Sequence, residues 1–326
     1  MPALMRLPTR EALRNLQGDR DLAKWPARGP ESRLEPVCQP RLAPSFALQP
    51  GGSVFTIGSC FARNIEEHLA QRGFAVPMQA YTGPREEWPG RPSGILNKYH
   101  APSFYNEVAL TAELLDLDQA GRAARLQALM LPTEDGQVVD LELAGFKPVS
   151  PARAMERRQA ILDLFRHAFD AEVIVLTLGM AEAWFDLQSG RYIQQAPVGP
   201  IFRRIQDRFE FRLLDFHETL DWTTRTITLL AEHGHPGKRF MLTVSPVPLQ
   251  ATFTGMDAVV ANGYAKSMLR AVVGTIASQR DDTDYVPSYE AVMLSHDPGV
   301  WEDDLVHVKS AFVGKVVSHI LAAYSP

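Results

Sequence analysis

Two short words in the chain carry residue types able to do nucleophilic chemistry. The first is Gly58-Ser59-Cys60-Phe61-Ala62, which follows the apolar run Val54-Phe55-Thr56-Ile57 and leads into Arg63-Asn64-Ile65-Glu66-Glu67-His68-Leu69. A strand over 53–57, a turn at Gly58 and an amphipathic helix over 60–72 put Ser59 and Cys60 at a helix N-terminus. Unpaired N–H groups and the positive end of the helix dipole there favour a thiolate and an oxyanion. The second word is Asp304-Leu305-Val306-His307. On a short turn, an acid three residues before a histidine reaches one ring nitrogen and fixes the tautomer, which leaves the other nitrogen as a general base. Each word also has a plain reading: a strand-to-helix turn with a small buried cysteine, and a helix cap beside a surface histidine. Taken together they describe nucleophilic catalysis, with Cys60 as nucleophile, His307 as base and Asp304 orienting it. Ser59 is the alternative nucleophile, and otherwise caps the helix or bonds near the site.

The elements that must position these groups alternate. Strands are expected at 53–57, 74–77, 172–178, 239–244 and 284–287, and helices at 60–72, 103–117, 154–169, 218–233, 257–279 and 311–321. This is the pattern of an α/β chain with a mainly parallel sheet. Ligands of open α/β sheets sit beyond the C-terminal strand ends. Gly179, Glu182 and Trp184, which follow the most apolar strand, are therefore pocket candidates; the plain reading is a capped turn with a packing tryptophan. Residues 1–50, broken by Pro26, Pro36, Pro40, Pro44 and Pro50, read as an extension with a short helix over 9–16 that drapes over the domain or recruits a partner. A catalytic domain then spans 51–326, with insertions around 81–100, 121–150 (a hairpin at Glu134-Asp135-Gly136) and 185–216 (a hairpin lid or oligomer surface). On helix 257–279, Lys266 accompanies a stripe of Val260, Met268, Ala271 and Val272 read as core. His296 lacks an acid three residues before it and yields to His307 as the base.

The word Gly58-Ser59-Cys60-Phe61-Ala62 matches, letter for letter, the signature for which the GSCFA family is named, a family related to the SGNH (GDSL-like) hydrolases. Blocks at 176–184 (Leu-Thr-Leu-Gly-Met-Ala-Glu-Ala-Trp), 243–248 (Thr-Val-Ser-Pro-Val-Pro) and 285–290 (Tyr-Val-Pro-Ser-Tyr-Glu) follow in order, with Asp304 and His307 last. The chain resembles that family over residues 50–323. The resemblance implies a flavodoxin-like three-layer αβα fold, SGNH-hydrolase-like, and esterase or O-acyltransferase chemistry, often on glycans. It also makes Gly94 and Asn97 oxyanion candidates, since the irregular stretch 81–99 falls near the second oxyanion block; turn chemistry explains both equally well. Two departures stand out. SGNH enzymes carry Gly-Asp-Ser where this chain has Gly58-Ser59-Cys60, so the aligned nucleophile is a thiol. Their oxyanion asparagine is replaced by Ala181, and one missing donor costs about 3 kcal/mol of transition-state stabilisation. The alternative is thus a non-catalytic carbohydrate-binding or scaffold protein on a degenerate SGNH-like fold.

With 326 residues, 45% of them hydrophobic, the chain has material for a large core, and a net charge of -5 gives no drive toward nucleic acid or anionic membrane. No apolar run approaches a membrane span, and the first residues lack a signal-peptide core. Two cysteines, Cys38 and Cys60, argue for a reducing compartment, so a cytoplasmic protein is expected; without a C-x-x-C word a thiol redox role has little support. No phosphate-binding glycine word occurs. No bound cofactor is therefore expected, and an acyl donor such as acetyl-CoA would come as a substrate. His233 and His235, set among glycine and proline, read as a helix end rather than metal ligands. The expected partner is a small-molecule or glycan substrate, with homo-oligomerisation left open.

Overall fold

The computed structural model describes residues 4–29, 31–90 and 94–325; Met1–Ala3, Pro30, the 91–93 stretch of the first insertion and Pro326 lie outside them. Helices α1 (Thr9–Gln17) and α2 (Arg20–Ala23) precede the alternating part. There follow β1 (Val54–Gly58), α3 (Cys60–Ala70), α4 (Ala101–Leu115), α5 (Gln119–Gln127), β2 (Met130–Pro132), β3 (Val138–Asp140), α6 (Pro151–Asp170) and β4 (Val173–Leu178). The second half holds β5 (Glu182–Asp186), β6 (Arg191–Ile193), β7 (Phe209–Leu213), α7 (Phe216–Glu232), β8 (Arg239–Val244), α8 (Ala258–Gln279), β9 (Thr283–Tyr285), α9 (Ser288–Met293) and α10 (Ser310–Tyr324).

The central sheet has the order β1-β4-β8-β9 with all neighbours parallel. Alternation along its strands divides the core in two. Phe55, Ile57, Ile174, Leu176, Phe240 and Leu242 face a cluster that holds Phe104 of α4, Phe165 of α6, Ile227 of α7 and Leu269 of α8. Val54, Val173, Val175 and Met241 face Ile65 of α3, Val292 of α9 and Phe312 of α10. The result is a three-layer αβα arrangement.

Several expectations shift. The strand expected at 74–77 shrinks to one parallel bridge, Ser53 to Ala75, because Pro77 lacks an N–H to donate and opens a 3₁₀ turn over Pro77–Ala80. The insertion after β4 begins earlier than expected: Glu182 and Trp184 stand on β5, the middle strand of an antiparallel sheet β6-β5-β7. The hairpin expected at 134–136 is β2–β3. It packs on that sheet through Leu131, Val139, Ile193 and Phe209, so the two insertions form one lobe. The α8 stripe holds at Met268 and Val272, which are buried, but not at Val260 and Ala271, which are exposed; Ala261, Ala265, Leu269 and Val273 complete the inner face. The segment 36–48 lies on the domain, as the draping alternative has it. Cys38 and Leu48 are buried, the Cys38 N–H donates to Ser295 Oγ at 2.7 Å, and the Leu48 N–H donates to the Tyr324 carbonyl at 2.8 Å.

Beneath the lobe lies a fully buried ion cluster. Glu107 of α4 receives Lys98 Nζ at 2.6 Å and Arg158 of α6 at 2.7 Å, and Arg158 Nε donates to Asp140 at 2.8 Å. Lys98 Nζ also donates to the Glu142 carbonyl at 2.9 Å. Burial pushes the Glu107 carboxyl up, but the charges and hydrogen bonds of Arg158 and Lys98 outweigh it and hold it at about 2. The turn into α3 is equally tight: a Cβ on Gly58 would sit 2.7 Å from Thr177 Cβ and 2.8 Å from the Thr177 carbonyl oxygen.

Two outcomes follow for stability. Gly58→Ala should cost about 1–3 kcal/mol in urea unfolding, the range for overpacking against backbone; a loss under about 0.5 kcal/mol would contradict the close approach. Glu107→Gln should cost about 3–5 kcal/mol near neutral pH, because it leaves buried cations uncompensated. A depressed carboxylate contributes stability above its unfolded value and loses it as pH falls toward the folded one. The gap between wild type and Glu107→Gln should therefore narrow by about 3 kcal/mol between pH 5 and pH 2. A constant gap would mean that Glu107 is not held ionised.

Candidate active site

The C-terminal ends of β1, β4 and β8 open into a cavity of about 640 Å³. Ser59, Cys60, Gly94, Asn97, Gly179, Glu182, Trp184, Asp304 and His307 all line it. The nucleophile word arrives by the short step from β1 to α3. Ser59 is the extended residue before the helix, and its hydroxyl makes no capping bond. Of the two roles expected of it, capping the helix or bonding near the site, the structure shows the second: it donates to Ser245 Oγ at 3.2 Å, directly after β8. Cys60 opens the helix, part-exposed, where the first N–H groups have no intrahelical acceptor.

Charge surrounds this turn. Arg63, one turn along α3, pairs with buried Glu66 at 2.9 Å and donates to the Thr56 carbonyl at 3.2 Å. Burial pushes Arg63 down while negative charge on Glu66 and Cys60 pulls it back up. Burial likewise lifts Glu66 to about 7, against the pull of Arg63. Burial raises Tyr99 as well; a hydrogen bond from the Asn97 side chain to its hydroxyl opposes that, and the charge of Cys60 adds to it.

Asp304 and His307 stand on a tight turn closed by an antiparallel bridge between Trp301 and Val308 and by the Glu302 N–H donating to the His307 carbonyl at 2.8 Å. Asp304 Oδ1 accepts the N–H groups of Val306 at 3.0 Å and His307 at 2.9 Å, and Oδ2 meets His307 Nδ1 at 2.6 Å. The backbone and ring bonds from His307, then the Val306 N–H, hold the Asp304 carboxyl far below the usual carboxylate range. Nδ1 therefore carries the proton, and Nε2 is left to accept one. Leu305, between them, has φ 56°, as does Leu96 just before Asn97. Left-handed non-glycine residues cost about 1–3 kcal/mol each and gather where a function fixes the backbone.

The walls come from the insertions. Both carboxylate oxygens of Glu182 are engaged, by the Thr252 hydroxyl and by the Phe253 N–H at 3.1 Å, so this side chain anchors the 252–254 loop. Trp184 meets Phe253 edge-to-face at 5.2 Å. Gly94 and Gly145 abut the Trp88 indole so closely that a Cβ would lie 2.9 Å and 2.4 Å from it. Gln194 Nε2 donates to the Asn97 carbonyl at 3.1 Å, tying lobe to loop.

His100 also lines the cavity, yet both ring nitrogens are occupied: Nδ1 accepts the Ser103 N–H at 3.2 Å and Nε2 lies 3.2 Å from the Ile193 carbonyl. Burial drives it down to about 4, so it is a neutral structural group. His296 lies elsewhere, its N–H donating to the Pro36 carbonyl at 3.0 Å.

Sequence reasoning missed Ser245, Trp88 and Lys266. Ser245 follows β8 as Gly179 follows β4, and that equivalence was a usable signal. Lys266 is 1% exposed and donates to the Gly179 carbonyl at 2.8 Å. It shares a helical face with Leu269 and Val273, at spacings of three and seven. A lysine on such a face is the signal that was available. Among the described residues no three His, Cys, Asp or Glu side chains gather as a metal ion would require.

The model of the GSCFA family matches residues 53–320. The chain belongs to the GSCFA family. No curated protein and no solved structure matches it. The GSCFA match encloses every residue that lines the cavity and leaves the 36–48 segment outside. Among the described residues no helix is long and apolar enough to cross a membrane.

If Glu182 is a loop anchor, Glu182→Ala should speed amide exchange at Phe253 about tenfold, as loss of one charge-assisted bond implies. Unchanged exchange there would mean that the carboxylate is available for a ligand instead.

Proposed function

We propose that this GSCFA protein is an SGNH-like esterase or O-acyltransferase acting through a thioester on Cys60. The observation that carries the reading is that Cys60 and a histidine already oriented by a carboxylate line one cavity at the strand ends. His307 Nε2 takes the Cys60 proton, and the sulfur attacks the ester carbonyl. N–H groups at the start of α3 and the loops carrying Gly94, Asn97 and Gly179 stabilise the oxyanion. Collapse expels the alcohol, protonated by His307. A hydroxyl of water or sugar, deprotonated by His307, then attacks the thioester and returns Cys60.

The walls favour a neutral, hydroxyl-rich substrate such as an acylated glycan. Trp88 and Trp184 offer aromatic rings, Asn97 and Gln250 offer carboxamides, and among the described residues the lining includes no lysine or arginine. A phosphate-rich donor such as acetyl-CoA would keep its nucleotide outside the cavity. A reducing, cytoplasmic setting suits a reaction that depends on a thiolate.

The test is intact mass after brief exposure to an activated acetyl ester. Wild type and Ser59→Ala should gain one acetyl group, Cys60→Ala none, and His307→Ala should acylate about 10²–10⁴-fold more slowly. An acetyl lost only in Ser59→Ala moves the nucleophile to Ser59. A binding role, which the buried and donor-free Ala181 favours, is the conclusion if no variant acylates while the thiol remains intact.

A further inference from the structure

Lys266 is a buried lysine that meets no carboxylate among the described residues. Among the described residues its ammonium makes one hydrogen bond, to the Gly179 carbonyl at 2.8 Å, and no salt bridge. The peptide it holds is pinned from the other end too, the Met180 N–H donating to the Tyr99 carbonyl at 2.9 Å. The preceding carbonyl, that of Leu178, accepts the Ser245 N–H at 2.8 Å. Gly179 in turn abuts Ser59: a Cβ on it would be 3.6 Å from Ser59 Cβ. Lys266 therefore lies under the turn that carries the nucleophile. Burial brings its ammonium down to about 7, and the negative charge of Cys60 pulls it back up.

The other charged and titratable groups around Cys60 are each committed. Arg63 is balanced by Glu66 at 2.9 Å. Tyr99 is held by Asn97 and pushed up by burial, and Glu182 is bound to the 252–254 loop. His307 and Asp304 pair with each other. Lys266 alone in this set meets no carboxylate, and in its protonated form it places an uncancelled cation near the thiol in a low-dielectric site, which favours the thiolate.

We infer that Lys266 is a positioning residue of this site: its ammonium fixes the Gly179–Met180 peptide and supplies the charge that stabilises Cys60 as a thiolate. The inference rests on the proposed function only in taking Cys60 as the reactive group. His307 accepts the proton, and Lys266 stabilises the sulfur anion that remains.

The test is the pH dependence of Cys60 alkylation by iodoacetamide, in which the thiolate sulfur displaces iodide to form a thioether, followed by intact mass in a Cys38→Ala background. Lys266→Met should raise the midpoint of the alkylation profile by about one pH unit or more, and Lys266→Arg by less than about half a unit. A midpoint in Lys266→Met within about 0.3 units of wild type, with an unchanged melting temperature, overturns the inference. Should Lys266→Met fail to fold, Lys266→Gln, which keeps a donor without charge, is compared with Lys266→Arg. Equal midpoints for that pair overturn the charge role, and a higher one for Gln supports it. An acetyl adduct with an unshifted alkylation profile rejects this role and keeps acyl transfer. A shifted profile without an adduct does the reverse.

Discussion

The site depends on one buried carboxylate. Glu107 sits between the ammonium of Lys98 and the guanidinium of Arg158, all three buried from bulk solvent. Ion pairs of that kind add little net stability over apolar packing, but they tolerate no missing member. They dictate which segments meet: α4, α6, the strand end at Asp140 and the loop at Lys98. That loop then reaches the nucleophile turn directly, because the Lys98 N–H donates to the Gly58 carbonyl at 2.9 Å. One charge cluster thus sets both the wall of the cavity and the residue preceding Ser59 and Cys60.

The two halves of the site are built on different principles. Cys60 is delivered by the core itself, at the join of a buried strand and a helix, where Gly58 leaves no room for a side chain against Thr177. Asp304 and His307 are delivered by a solvent-facing turn whose internal hydrogen bonds fix their mutual geometry before anything else touches them. The first half is rigid through packing, the second through local bonding. This division explains why the strained residues, Leu96 and Leu305, lie on the loops and not on the strands.

The same division governs what could be read from the sequence. The central strands and the helices flanking them were visible because burial on one or both faces imposes a period on the residue types. The pair Asp304 and His307 was visible because its geometry is local, three residues apart. The fate of the 74–77 stretch was not, since one proline decides between a strand and a turn only in the context of its neighbours. Ser59 illustrates the limit for side chains. Its type and position fit a cap, but the competing partner, Ser245, is 186 residues away, and no local pattern encodes it. Lys266 was passed over for a related reason: periodicity places it on an inner face, yet only the fold brings the Gly179 carbonyl to its ammonium.

The 36–48 segment has a consequence for how the chain is made. Its partners lie far downstream: Ser45 bonds Asp284, Cys38 bonds Ser295, and His319 bonds the Pro40 carbonyl, separations of 239, 257 and 279 residues. At about 5–20 residues per second, a ribosome needs roughly 12 to 56 s to supply those partners after the segment itself has emerged. During that interval Val37, Leu42 and Phe46, which finally pack on the α10 side of the sheet, have nothing to cover them. The early residues are thus the last stitch of the fold. The stitch closes over α9 and α10, the elements on either side of the turn that carries His307, so seating of the base waits on the synthesis of α10.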